Sequence, residues 1–261
     1  MSHHSPRETF YAVHGCPFTV ALLSDLHDKA FDEIAASLRR VRPEVICVTG
    51  DFVNAKKRDR EHVVGGARSI LPFFRMCAAS APTFVSLGNH EWPLTDEDFE
   101  LIRATGVLTL DNRYVQYRNA AIGGLTSSMV TLFRREVAEA GMLYQFPYPR
   151  AAGITSLLAP DVDWLEEFGA FPGPKVLLCH HPEYYEPYLR SRGLTMVLSG
   201  HAHGGQIRLF GHGLYAPGQG LLPRLTQGVQ FRRLVISRGL SNTSVIPRVF
   251  NPPEIVYIQP E

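Results

Sequence analysis

An α/β layered fold with a largely parallel sheet at its start is predicted, on three observations. Short β-branched or apolar runs at residues 18–23, 44–48, 83–87, 175–179 and 195–198 read as buried strands. Helical patterns alternate with the first three of them, the order that builds parallel sheets. The chain of 261 residues is 45% hydrophobic and 20% charged, ample for a large core, which excludes intrinsic disorder as the main state.

The first helix is expected from Asp28, a candidate cap. Phe31, Ile34, Ala35 and Leu38 fall on one face, and Arg39 and Arg40 suit the C-terminal end before Pro43. A second stripe runs over 61–79 (Val63, Val64, Ala67, Ile70, Leu71, Phe74), with Gly65, Gly66 and Pro72 set against its continuity. A third helix spans 95–104, opened by a capping box between Thr95 and Asp98 and closed at Gly106. Shorter strands joined by turns over 108–123 and 234–258 point to a mixed sheet rather than a uniform doubly wound one. Residues 126–160 and 211–223 are the least patterned and read as loops, where substrates are often recognised.

Charge and cysteine usage narrow the function classes. With 26 Lys and Arg against 25 Asp and Glu the net charge is +1, so no basic excess supports a nucleic-acid partner. Cys16, Cys47, Cys77 and Cys179 form no C-x-x-C pair, which favours a reducing compartment, and Cys47 and Cys179, in apolar runs, read as buried small hydrophobes. No apolar run approaches the roughly 18 residues of a transmembrane helix. The first ten residues lack the apolar core of a signal peptide. The expectation is a soluble, cytoplasmic protein.

Each predicted strand ends in a polar cluster: Asp25 and His27; Gly50 and Asp51; Asn89, His90 and Glu91; His180 and His181; His201 and His203. Ligands of open α/β sheets bind beyond the carboxyl ends of strands, so these clusters are expected on one rim. Carboxylates, imidazoles and an amide oxygen suit Zn, Mn or Fe. Asp25 with His27, and His201 with His203, are spaced i and i+2 and would point the same way from extended chain. A carboxylate shared between two ions would hold them roughly 3.5–4 Å apart, as in two-metal hydrolytic centres. Any one strand-end Asp or His is more often a cap or a satisfied polar group, and glycine before Asp51, Asn89 and His201 can be turn chemistry alone. Five such clusters on five strands make the joint coincidence small.

Asp25-x-His27, Gly50-Asp51, Gly88-Asn89-His90-Glu91, His180 and Gly200-His201-x-His203 resemble, in order, the five-block signature of the calcineurin-like metallophosphoesterases. The segments 204–207, 216–220, 237–240 and 247–251 resemble the bacterial YkuE/YaeI phosphodiesterase-like subgroup, so the likeness spans nearly the whole chain. It implies one domain over residues 1–261, a central β-sandwich of mixed sheets flanked by helices, and a dinuclear centre at the sheet rim. Asp25, His27 and His203 would hold one divalent ion, Asn89, His180 and His201 the other, with Asp51 bridging. His180 rather than His181 matches the family's ligand, and His181 is expected behind it or at the surface. The implied ions are Mn, Fe or Zn, with Mn favoured. The resemblance also implies a metal-bridging hydroxide as nucleophile, attacking phosphorus in line with the leaving alcohol. His90 would stabilise the transition state or protonate the leaving oxygen.

One block departs from the pattern. Asn54 stands where the best-known members carry a carboxylate that supports the catalytic histidine. It can orient His90 by hydrogen bonding but cannot raise its pKa by charge. The absence of the Asp-Arg-Gly continuation also sets the protein-phosphatase branch aside. Arg208 and Arg238, with Arg248, are candidates for binding substrate phosphoryl, weighed against the commoner loop-bracing role. The implied activity is a metal-dependent phosphoric ester hydrolase acting on a diester, with a small-molecule or lipid-linked substrate and room for peripheral membrane association. A non-catalytic scaffold of the same fold is the competing class, disfavoured by the complete ligand set. A nuclease is disfavoured by the neutral charge.

Overall fold

The computed structural model describes residues 5–54, 67–132, 159–242 and 246–261. The first of two six-stranded sheets contains β1 (Arg7–Val13), β2 (Val20–Leu23), β3 (Val45–Thr49), β4 (Thr83–Ser86) and β5 (Leu108–Thr109). The second contains β6 (Arg113–Tyr117), β7 (Ala120–Leu125), β8 (Lys175–Cys179) and β9 (Met196–Ser199). Two small ribbons follow, β10 (Arg208–Leu209) with β11 (His212–Gly213) and β12 (Tyr215–Ala216) with β13 (Gly220–Leu221). Then β14 (Gly228–Gln230) and β15 (Leu234–Ile236) complete the second sheet. Finally β16 (Glu254–Pro260) returns to the first, between β1 and β2. Strands β2 to β5 are parallel, and so are β7, β8, β9 and β15; β16 runs antiparallel to β2, and β6 and β14 are antiparallel edges. Both sheets are mixed, as the sequence predicts.

Period-2 alternation splits each central strand between two cores, because both faces are covered. Val20 and Leu22 of β2, Cys47 of β3 and Phe84 of β4 meet Ile122, Val176, Leu178 and Leu198 of the second sheet in the buried centre of a sandwich. Ala21, Leu23, Ile46 and Val48 face the other way. They pack under α1 (Asp32–Val41), α2 (Leu71–Ser80) and α3 (Asp96–Arg103) through Ile34, Leu38, Phe73, Phe74, Phe99 and Ile102. On the far side Leu177, Cys179 and Val197 pack under α4 (Leu165–Ala170) and the helical turns of Pro182–Leu189, where Tyr184, Tyr185 and Leu189 are buried. The result is a mixed α/β architecture in four layers, helices outside two sheets.

Several local expectations are corrected. Asp28 does not cap α1, whose N-cap is Phe31 without a side-chain bond. The Asp28 carboxylate instead accepts the Asn54 N–H at 2.8 Å and the Ser69 hydroxyl at 2.6 Å, tying together two loops of the rim. Pro72 does not interrupt the second helix but starts it, at a position where its missing N–H costs nothing. Of the 61–79 stripe, residues 61–66 lie outside the described residues. The α3 capping box is present, with Asp98 N–H on Thr95 Oγ1 at 3.2 Å and Thr95 N–H on Asp98 Oδ2 at 3.1 Å. The 211–223 loop contains β11, β12 and β13. Of the 126–160 excursion, residues 133–158 lie outside the described residues, and Thr126 to Val130 are buried. All four cysteines are free and buried. Among the described residues no helix is long and apolar enough to cross a membrane.

Candidate metal centre

The C-terminal ends of β2, β3 and β4 in one sheet and of β8 and β9 in the other open on the same rim. There Asp25, His27, Asp51, Asn89, His90, His180, His201 and His203 all lie at 5% exposure or less. The i and i+2 pairs do not converge by lying on extended chain. Asp25, His27, Asp51, His201 and His203 each take a left-handed backbone, with φ between 46° and 65°. Five non-glycine residues in a sparsely allowed region, all in one cluster, are the kind of strain that functional sites hold. Sequence spacing carries no signal of it.

Glycines let the strand ends approach. A Cβ on Gly88 would lie 2.3 Å from Asp51 Oδ1, and one on Gly239, at φ +75°, would lie 2.8 Å from the Asp25 side chain. Asp51 is thus backed by the β4 loop and Asp25 by the loop after β15.

Four groups of ligand atoms converge within 4.8 Å of one another among the described residues: Asp25, His27 and His203; Asp51, His180 and His201; His27, Asp51 and His90; and His181, Glu183 and His201. Asp51 Oδ2 lies 3.2 Å from His180 Nε2, 3.8 Å from His27 Nε2 and 3.9 Å from His90 Nε2. Asp25 Oδ1 lies 3.5 Å from His203 Nε2. The second nitrogen of three imidazoles is turned to a backbone carbonyl: His27 Nδ1 to Val53 O at 3.3 Å, His180 Nδ1 to Thr49 O at 2.7 Å, and His203 Nδ1 to Ser241 O at 3.3 Å. Donation there leaves a lone pair on Nε2, the tautomer a metal needs.

Asp25 Oδ1, His27 Nε2, Asn89 Oδ1 and His180 Nε2 are buried without a hydrogen-bond partner among the described residues. Such atoms are costly unless something satisfies them. A hard or borderline divalent cation does so, and this donor set fits one.

Charge in the cluster is divided unevenly. Burial drives His27 and His201 well below the usual imidazole range and His203 below it. For His180 burial acts the same way, but the charges of Asp51 and Asp25 outweigh it, and the imidazole is pushed up to about 10. In the metal-free chain His180 therefore holds a proton at neutral pH that an ion must displace. Below that pKa, lowering the pH weakens binding. The affinity of the ion at this histidine should rise up to about tenfold per pH unit between pH 6 and 8, with a proton released on binding. Calorimetry in two buffers of different ionisation enthalpy reads that proton directly.

Around these residues stands a supporting layer that the sequence reading missed in part. Glu91 is fully buried. Its carboxylate accepts N–H groups of Asp51 at 2.8 Å, Phe52 at 2.9 Å, Val53 at 3.2 Å and Gly88 at 2.8 Å. Glu91 therefore braces the β3 and β4 loops. Burial and the Asp51 charge push its carboxyl up to about 8 against the pull of these donors. His181 is not at the surface: it is buried, with Nε2 at 2.8 Å from Ser127 Oγ and Nδ1 at 3.4 Å from Glu183 Oε1. Glu183 Oε1 also lies 3.5 Å from His201 Nε2, so one carboxylate can orient both rings. Its only signal in the sequence is its place two residues after His181.

The arginines are built into the loops. Arg208 donates to Gly204 O, Thr226 Oγ1 and Gly211 O. Arg238 pairs with Glu254 Oε1 at 2.8 Å, and Arg248 donates to Ser241 O, Asn251 O and Arg238 O. Asn54 is buried beside the rim, its N–H held by Asp28. Its side chain lies at the edge of the described residues.

Buried imidazoles and carboxylates at the strand ends of a two-sheet α/β sandwich define a metal-dependent hydrolytic centre. The chain belongs to the calcineurin-like phosphoesterase family, which matches residues 18–205. Among its relatives is YpbG of Bacillus subtilis (strain 168), 25% identical over 91% of this chain and 79% of that protein. Phosphodiesterase YaeI of Escherichia coli (strain K12) is 26% identical over 78% of this chain and 67% of that protein. The UDP-2,3-diacylglucosamine pyrophosphatase LpxG of Chlamydia muridarum is 24% identical over 94% and 84%. A dimetal phosphatase from Danio rerio shares the fold, with a TM-score of 0.50 and 14% identity over 85% of this chain and 87% of that one. The protein is a hydrolase acting on phosphoester bonds, and its buried His and Asp groups are placed to hold divalent metal.

Proposed function

We propose that this chain is a phosphodiesterase, with Mn²⁺ the favoured ion and a small-molecule or lipid-linked phosphodiester as substrate. The carrying observation is the set of buried, partnerless donor atoms around Asp51. Asp25, His27 and His203 would hold one ion and Asn89, His180 and His201 the other, with Asp51 available to both. When bound, two divalent ions supply Lewis acidity and lower the pKa of water in the site.

The chain's own groups do the rest. The His90 N–H donates to Asp51 Oδ1 at 2.8 Å and fixes the shared carboxylate. The His90 ring stands edge-on to His27, with centroids 4.5 Å apart, at the mouth of the cluster where a leaving oxygen can take its proton. Asn54, next to this loop, sets the orientation of His90 without adding charge. Arg208 and Arg238 act on substrate through the loops they hold, since their donors go to Gly204, Thr226, Gly211 and Glu254. The relatives YaeI, a phosphodiesterase, and LpxG, a UDP-2,3-diacylglucosamine pyrophosphatase, support a substrate with two substituents on phosphorus. Residues 1–261 act as one domain, a reading supported by β16, which brings the end of the chain between β1 and β2.

The test is hydrolysis of bis-p-nitrophenyl phosphate against p-nitrophenyl phosphate by metal-stripped protein with Mn²⁺, Zn²⁺ or Fe²⁺ restored. Faster turnover of the diester, greatest with Mn²⁺, is expected, and His90→Ala should lower kcat by about 10²-fold or more. Preference for the monoester with every metal would overturn the diesterase reading.

A further inference from the structure

Large apolar side chains left in water call for an explanation when they gather in one place. Of the eight most exposed among the described residues, five sit in the loops beside the metal cluster: Leu209, Phe210, Leu221, Leu222 and Phe250. Phe210 is 99% exposed, at the tip of the turn joining β10 to β11, and Leu221 and Phe250 are 81% and 78% exposed.

Backbone bonds join these loops into one rim. Leu222 N–H donates to Leu214 O, Leu214 N–H to Ile207 O, and Arg208 N–H to Val249 O. Asn251, next to Phe250, ties the rim to the metal cluster by donating to His203 O at 2.7 Å.

Folding does not account for these side chains. Phe210, Leu222 and Phe250 have φ of 50°, 51° and 52°, a left-handed backbone that is strained for bulky residues. A solvent-facing turn would be cheaper with glycine or asparagine at those positions. The charges around them are of one sign: segments 206–224 and 246–251 contain Arg208, Arg224 and Arg248 and no Asp or Glu. No acidic residue occurs anywhere from 187 to 253, although the whole chain is nearly neutral.

We propose that this rim docks on an anionic lipid surface. Phe210, Leu221, Leu222 and Phe250 enter the headgroup boundary while exposed Arg224, in loops free of Asp and Glu, faces the lipid phosphates; Arg208 and Arg248 are held by loop carbonyls and add only their charge. Phe210, protruding at the tip of a two-residue turn, suits a fluid bilayer better than a flat protein partner. Docking would set the mouth of the metal cluster at the membrane surface. The proposal does not depend on turnover, so its failure and that of the phosphodiesterase reading are separable.

The experiment is co-sedimentation of the full, metal-loaded chain with vesicles of phosphatidylglycerol and phosphatidylcholine in equal parts, and with phosphatidylcholine alone. Binding to the anionic vesicles, weakened by added salt, is expected. It should fall about tenfold or more in the Phe210→Ser, Leu221→Ser double variant. That variant should keep wild-type turnover of a water-soluble phosphoester, which shows that the fold and centre survive. No binding to anionic vesicles would overturn the proposal. So would undiminished binding of the double variant, which would mean that charge alone attracts any polyanion. A wild-type dimer in sedimentation equilibrium that the variant abolishes, without vesicle binding, would reassign the rim to self-association.

Discussion

Asp51→Asn is expected to lower kcat by about three orders of magnitude and to bring bound metal below two ions per chain. The amide keeps the size of the side chain and an oxygen for the His90 N–H. It removes the negative charge that lies 3.2 Å from His180 Nε2 and 3.8 Å from His27 Nε2, and so bears on both halves of the cluster. Neither neighbouring carboxylate takes its place: Asp25 Oδ1 lies 4.0 Å from His180 Nε2 and 3.5 Å from His203 Nε2, and Glu91 is occupied by backbone N–H groups. Elemental analysis and kinetics on the same preparation check both parts. Two ions bound with near wild-type turnover would remove Asp51 from the centre of the site.

The largest effect on stability is expected at Glu91. Its carboxylate is the acceptor for four buried N–H groups on two loops. Glu91→Ala removes the acceptor of all four in a buried site. At about 1 kcal/mol or more for each, the cost is roughly 4 kcal/mol or more. For a chain of this size that corresponds to a fall in Tm of roughly 10 °C. Glu91→Gln should cost less, since one oxygen still accepts, while its NH₂ faces donors. Thermal unfolding by circular dichroism reads the difference, and a Glu91→Ala Tm within about 2 °C of wild type would contradict the bracing role.

Much of this centre was legible in the sequence because its residues sit where strands stop. The runs before Asp25, Asp51, Asn89, His180 and His201 are apolar on both faces, so their ends were easy to place and their polar clusters stood out. The strands that the sequence hid are those with weak periodicity. β1 runs from a charged pair, Arg7 and Glu8, to an aromatic pair, Phe10 and Tyr11, without alternation at a half-exposed edge, and its pairing with β16 joins opposite ends of the chain. The short strands of 211–223 owe their form to Leu214 and Leu222 bonding across loops.

Geometry inside the rim was less legible. Convergence of Asp25 with His27 was foreseen for the wrong reason, since left-handed backbone and not extended spacing turns the chain into the site. Glu91 stands in the sequence as one more polar residue after β4, yet its contacts are to main chain, which no side-chain pattern announces. Glu183 and Ser127 gain meaning only when the fold brings them to His181. Phe210, Leu222 and Phe250 read as ordinary apolar residues until the structure shows them outside every core.

The most direct test of the dinuclear centre is a Mn²⁺ titration of metal-stripped protein followed by electron paramagnetic resonance and elemental analysis. Two ions bridged by Asp51 predict two Mn²⁺ per chain with an exchange-coupled spectrum, and loss of that coupling in Asp51→Asn. Saturation at one ion, or two ions whose spectra stay uncoupled in the wild-type chain, would contradict it.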